Sequence, residues 1–124
     1  MSYQNREYAI DVLIGKTLIG IINTSDNIQF VVSTDESYSM YHRQDCCENV
    51  YVEDICGDLD DLIGSPILFA EEVSNADNPD SRKYNESHTW TFYKFSTIKG
   101  SVTIRWLGES NGYYSERVTF KSDQ

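Results

Sequence analysis

Along the last third of the chain, apolar and polar positions alternate with the period of a β-strand. Thr89-Trp90-Thr91-Phe92-Tyr93-Lys94-Phe95 mixes β-branched and aromatic residues, which suit a pleated, half-buried surface. After Lys99-Gly100, Val102, Ile104 and Trp106 fall on one face while Thr103 and Arg105 fall on the other, because successive strand side chains point to opposite sides. Ser110-Asn111-Gly112 then reads as a hairpin turn, since Asn-Gly tolerates positive φ. Tyr114, Val118 and Phe120 continue on one face of a further strand. The pattern predicts a three-stranded antiparallel meander in which 101–106 lies beside 113–120, with Trp106 and Phe120 buried.

The first half echoes the second. Asp11-Val12-Leu13-Ile14-Gly15 returns as Asp60-Asp61-Leu62-Ile63-Gly64. Ser37-Tyr38-Ser39-Met40 aligns with Ser101-Val102-Thr103-Ile104, which sets His42 against Trp106 and, with slippage, Glu53 against Glu116. We expect one domain containing two units, 10–57 and 58–121, each a short helical turn followed by four strands. Their apolar faces would pack together. The expected fold is mainly β, an antiparallel sandwich- or barrel-like sheet with one or two short helices; a β-rich α+β arrangement is the alternative. Asn75 to Ser87, rich in turn formers, reads as a surface loop between strands.

Charge changes the picture of the middle of the chain. The net charge is −10 over 124 residues, and eleven Asp and Glu between Gln44 and Ser81 face no Lys or Arg there. Nine Tyr, five Phe and two Trp are more than a disordered acidic chain carries, so the domain should fold. An acidic surface repels phosphate, which disfavours direct nucleic-acid binding and favours a basic protein partner. The segment Met1 to Arg6 lacks the apolar core of a secretory signal, and runs such as Val12-Leu13-Ile14 are too short for a bilayer. A cytoplasmic location is expected, and the three cysteines then read as free thiols.

The densest chemistry lies in His42-Arg43-Gln44-Asp45-Cys46-Cys47-Glu48. His42 with Cys46 or Cys47 has the ligand types of a zinc or iron site, completed by Asp45, Glu48 or Cys56. The spacing argues against it: adjacent cysteines on extended backbone point apart, so one should pack inward as a small hydrophobe. His42 beside the cysteines could also activate a thiolate, but surrounding carboxylates raise a thiol pKa. In the aligned second unit the same place holds a plain turn, Glu109-Ser110-Asn111-Gly112. Asp58, Asp60 and Asp61 could hold a cation, although Asp58 reads better as the cap of a short helix over 59–63, with the other two in its first turn. No cofactor is expected. The binding candidates are Asp45, Glu48, Glu53, Asp54, Asp58, Asp60 and Asp61, joined by Tyr113 as an exposed aromatic.

Several segments occur together in a recognisable order: His42 to Glu48, Gly57-Asp58-Leu59-Asp60-Asp61-Leu62-Ile63-Gly64-Ser65-Pro66-Ile67, Thr89 to Lys94, Lys99 to Trp106, and Ser110 to Glu116. In these the chain resembles a family of small uncharacterised proteins of bacteriophages and bacterial genomes. The resemblance implies a phage or prophage setting and brings no residue role with it. Charge and resemblance together suggest a non-enzymatic acidic module that engages a basic, nucleic-acid-binding host protein. The alternative is a metal- or thiol-dependent site on His42, Cys46 and Cys47.

Overall fold

Two four-stranded antiparallel sheets form the protein, seen in a computed structural model that describes residues 7–24, 26–44, 46–77, 87–110 and 115–123. A 3-10 turn at Ile10–Leu13 precedes β1 (Gly20–Asn23), β2 (Asn27–Val31), β3 (Ser37–Tyr41) and β4 (Asn49–Cys56). A second 3-10 turn, Leu59–Leu62, precedes β5 (Phe69–Asp77), β6 (Ser87–Thr97), β7 (Gly100–Ser110) and β8 (Thr119–Ser122). One sheet runs β1-β2-β3-β8 and the other β4-β7-β6-β5. The architecture is a sandwich, without a closed barrel among the described residues. The short helices expected from sequence are these two single 3-10 turns.

The strand period predicts burial well. In β7, Val102, Ile104 and Trp106 are all buried. In β6 the inward set is Thr91, Tyr93, Phe95 and Thr97. The two strands form a hairpin closed at Thr97↔Gly100. Between the sheets, Phe30 of β2 meets Phe95 of β6 with ring centroids 5.4 Å apart. Trp106 Nε1–H donates to Met40 Sδ at 3.2 Å, giving the buried indole a partner for its one polar group. Each large apolar side chain buried this way contributes roughly 1.5–3 kcal/mol relative to exposure. On the outer face of the first sheet, Ser37 and Ser39 each donate to the Asp123 carboxylate at 2.8 Å.

One expectation fails. The segment after β7 does not return beside it: β8 pairs with β3 in the other sheet, Met40 opposite Phe120 and Tyr41 opposite Thr119. A strand has only two hydrogen-bonding edges, and β7 has β6 on one and β4 on the other. Phe120 is buried all the same, stacked on Tyr38 with centroids 5.4 Å apart. The Asn111-Gly112 turn and residues 113–114 lie outside the described residues. Asn75 to Asp77, expected in a loop, belong to β5 and pair with Trp90, Thr89 and His88. Pairing with the long β6 overrides their weak strand preference; the remainder of that segment, 78–86, lies outside the described residues.

Counted from its 3-10 turn, each half of the chain places its first three strands in one sheet and its fourth in the other. The connections after the two turns meet. Ile14 bridges Ile67 and Leu18 bridges Ile63, both parallel, with Thr17 against Pro66 between them. Gly15 N–H donates to the Ile67 carbonyl at 2.8 Å, and Gly64 N–H to the Leu18 carbonyl at 2.9 Å. Both glycines have positive φ, 90° and 88°, the conformation glycine adopts without penalty. His42 lies one residue beyond β3, whereas Trp106 lies within β7.

Candidate functional site

β3 and β4 belong to different sheets, so residues 42–48 carry the chain across the sandwich. His42 sits at the start of this crossing and Glu48 at its end. Their side chains are 5% and 0% exposed, with His42 Nε2 2.6 Å from Glu48 Oε2. The other ring nitrogen, Nδ1, lies 2.7 Å from the carbonyl oxygen of Arg117. A carbonyl only accepts, so Nδ1 carries a hydrogen. Nε2 and the carboxylate share a short hydrogen bond with little water to weaken it.

Glu48 also organises the turn. Its Oε1 accepts the Cys46 N–H at 3.0 Å. Gln44 Nε2 donates to the carbonyls of Glu48 at 2.6 Å and Cys46 at 3.2 Å. Outside this pair lies a cleft of about 320 Å³, lined by Arg43, Gln44, Ser115, Arg117 and Thr119 as well as His42 and Glu48. The Arg117 guanidinium pairs with Glu7. Glu48 therefore sits inside the protein rather than on the recognition surface expected for it. A buried carboxylate needs a partner, and His42 is close enough in sequence to supply one.

The cysteines also depart from expectation. Cys46 and Cys47 are joined in a disulfide between adjacent residues, and both are exposed. Neither is a free thiol, and neither packs into the core. The reading of divergent side chains assumed extended backbone, but these residues lie in the bend between β3 and β4, where the two sulfurs meet. Cys56 is the free cysteine, exposed at the far end of β4. Among the described residues, no group of three or more His, Cys, Asp or Glu is arranged to hold a metal ion. Asp45 and Tyr113 lie outside the described residues.

The remaining carboxylates follow an edge. β4 is the outermost strand of its sheet, and its register with β7 shifts between Val52 and Asp54, leaving Glu53 as an extra residue. Such a bulge re-aims the side chains around it. Glu53 and Asp54 are both exposed. Arg105 of β7 reaches them, its Nε donating to Glu53 Oε1 at 2.7 Å and its Nη2 lying 3.6 Å from Asp54 Oδ2. Beyond β4, the exposed Asp58 caps the second 3-10 turn by accepting the Asp60 N–H at 3.0 Å, as the sequence predicts. Asp60 is exposed, while Asp61 is half-buried, its carbonyl accepting from Thr97 Oγ1. Glu71 and Glu72 lie on β5, the opposite edge of the same sheet.

Sequence reasoning missed two participants. The Arg117 carbonyl is a backbone group that no composition signal marks. Glu116, beside it, is buried; its carboxylate accepts from Thr89 Oγ1 at 2.6 Å and from Ser110 Oγ.

Fold and site together define a small antiparallel β-sandwich with a buried His–Glu pair at the crossing between its sheets. Residues 11–120 match the family described as domain of unknown function DUF7448, and the chain belongs to that family. No curated protein and no solved structure matches it. No helix among the described residues is long and apolar enough to cross a membrane.

Proposed function

We propose that this domain is a non-enzymatic acidic binding module that engages a basic protein along the β4 edge. The observation that carries the reading is the exposed row of Glu53, Asp54, Asp58 and Asp60 on an outermost strand and its continuation. An edge strand offers unpaired backbone groups to an incoming extended segment, and the carboxylates favour a segment bearing Lys or Arg. Arg105 offsets part of the charge at Glu53 and Asp54; Asp58 and Asp60 make no such ion pair among the described residues. Carboxylates spaced along a strand imitate a row of phosphates, which suits a nucleic-acid-binding partner. The resemblance to phage and bacterial proteins supports a host protein in that role.

This reading has more support than a metal site or cysteine nucleophile on His42, Cys46 and Cys47. Both ring nitrogens of His42 are engaged, and the two sulfurs are bonded to each other. The test is calorimetric titration with a panel of basic bacterial DNA-binding proteins at two salt concentrations. Binding should weaken steeply as salt shortens the Debye length to about 8 Å and below, and should be lost in an Asp54→Asn/Asp58→Asn/Asp60→Asn variant. A complex indifferent to both salt and these substitutions refutes the proposal.

A further inference from the structure

We propose that Cys46–Cys47 is a reversible thiol–disulfide site, opened by dithiol reductants, whose redox state is transmitted to the buried His42–Glu48 pair. It is independent of the acidic edge and its reading. Three observations converge on the same few residues. The bonded cysteines are both exposed, so a thiolate can reach either sulfur; access of this kind governs exchange. The first cysteine of the ring is tied to the pair below, because Glu48 takes the Cys46 N–H on one carboxylate oxygen and His42 on the other. Gln44 clamps the same turn through the Cys46 and Glu48 carbonyls. The third cysteine cannot take part: Cys56 lies at the other end of β4, which starts at Asn49, roughly 20 Å away at about 3.3 Å per strand residue.

Reduction proceeds by two successive exchanges. One thiolate of a dithiol attacks either sulfur and the Cys46–Cys47 bond breaks. The displaced cysteine leaves as a thiolate and takes a proton from water. The second thiol of the reductant, deprotonated, then attacks the mixed disulfide and releases the other cysteine, which is likewise protonated. The dithiol departs as its own disulfide, two electrons having passed to the cysteine pair. A low-molecular-weight disulfide reverses the reaction, giving two reduced thiols. Opening the ring frees the Cys46 backbone to turn, so its N–H leaves Glu48 and the His42–Glu48 bond readjusts at the wall of the cleft.

The full chain has three cysteines, and Cys56 serves as an internal reference. The protein is purified without reductant, then denatured and alkylated with iodoacetamide, and the labels are counted by mass. One label is expected, on Cys56. Incubating the native protein with dithiothreitol before alkylation should raise the count to all three cysteines, and oxidised glutathione should return it to one. In parallel, the His42 ring resonances should shift between the oxidised and reduced forms. They should not respond to dithiothreitol in a Cys46→Ser/Cys47→Ser variant. Full labelling that persists after oxidised glutathione overturns the proposal, as does reduction that succeeds only after denaturation. Unchanged His42 resonances on reduction overturn the transmission.

Discussion

Glu48 closes on His42 across the whole β3–β4 crossing, its Oε2 2.6 Å from Nε2 with both side chains shut off from water. The bond ties the first residue after one sheet to the last residue before the other, so it holds the crossing as well as the cleft wall. Removing one member leaves the other polar and buried.

Glu48→Ala should therefore destabilise the fold by about 3–5 kcal/mol, the usual effect of orphaning one member of a buried pair. His42→Ala should cost a similar amount. The double variant should cost less than the sum of the two, with a coupling of at least about 0.5 kcal/mol. Urea unfolding of the four proteins measures all three quantities.

Two glycines should respond differently to the same substitution. Gly15 has φ +90° with nothing within 4 Å of a built Cβ, so Gly15→Ala should cost only the left-handed backbone penalty, about 1–2 kcal/mol. Gly57 has φ +108°, and its Cβ would stand 2.6 Å from the Ser101 carbonyl oxygen on β7. Gly57→Ala must also push β4 from β7 and should lower the melting temperature clearly further. Equal shifts in calorimetry would contradict the packing described at the end of β4.

Each sheet takes its fourth strand from the opposite half of the chain. Residues 1–57 and 58–124, made as separate polypeptides, should be unfolded alone and fold on mixing in equal amounts. Circular dichroism and size-exclusion chromatography read both states. A half that gives a cooperative transition by itself would show that the exchanged strand is dispensable.

Glu36 supplies an acid-sensitive contribution. Lys16 Nζ lies 2.8 Å from its carboxylate, and the Tyr38 hydroxyl donates to it at 2.7 Å. The Lys16 bond first, and the Tyr38 bond second, hold the Glu36 carboxyl below its ordinary 4.5. A carboxyl lowered by folding stabilises fully above its unfolded value, and the contribution fades as pH falls through the folded one. Both partners are about one-third exposed, so the effect should be at most about 1 kcal/mol. Glu36→Gln should lower stability at neutral pH and flatten the acid limb below 4.5 in pH-dependent denaturation.

Local chemistry is legible in the amino-acid sequence. The alternation in Thr89–Phe95 and Val102–Trp106 announces β6, β7 and their buried faces, because strand period is a property of neighbouring residues. Asp58 as a cap is equally local, acting on the N–H two residues ahead. Long-range choices are not legible there. That β8 joins β3 depends on which strand edges the rest of the chain has already occupied. Nor does a run of carboxylates reveal that Glu48 belongs inside. Its burial rests on His42 being held in turn by the Arg117 carbonyl, far along the sequence. Charge counts treat Glu48 and Asp54 alike; only the packed crossing, which removes water from one and leaves the other exposed, separates a structural pair from a surface charge.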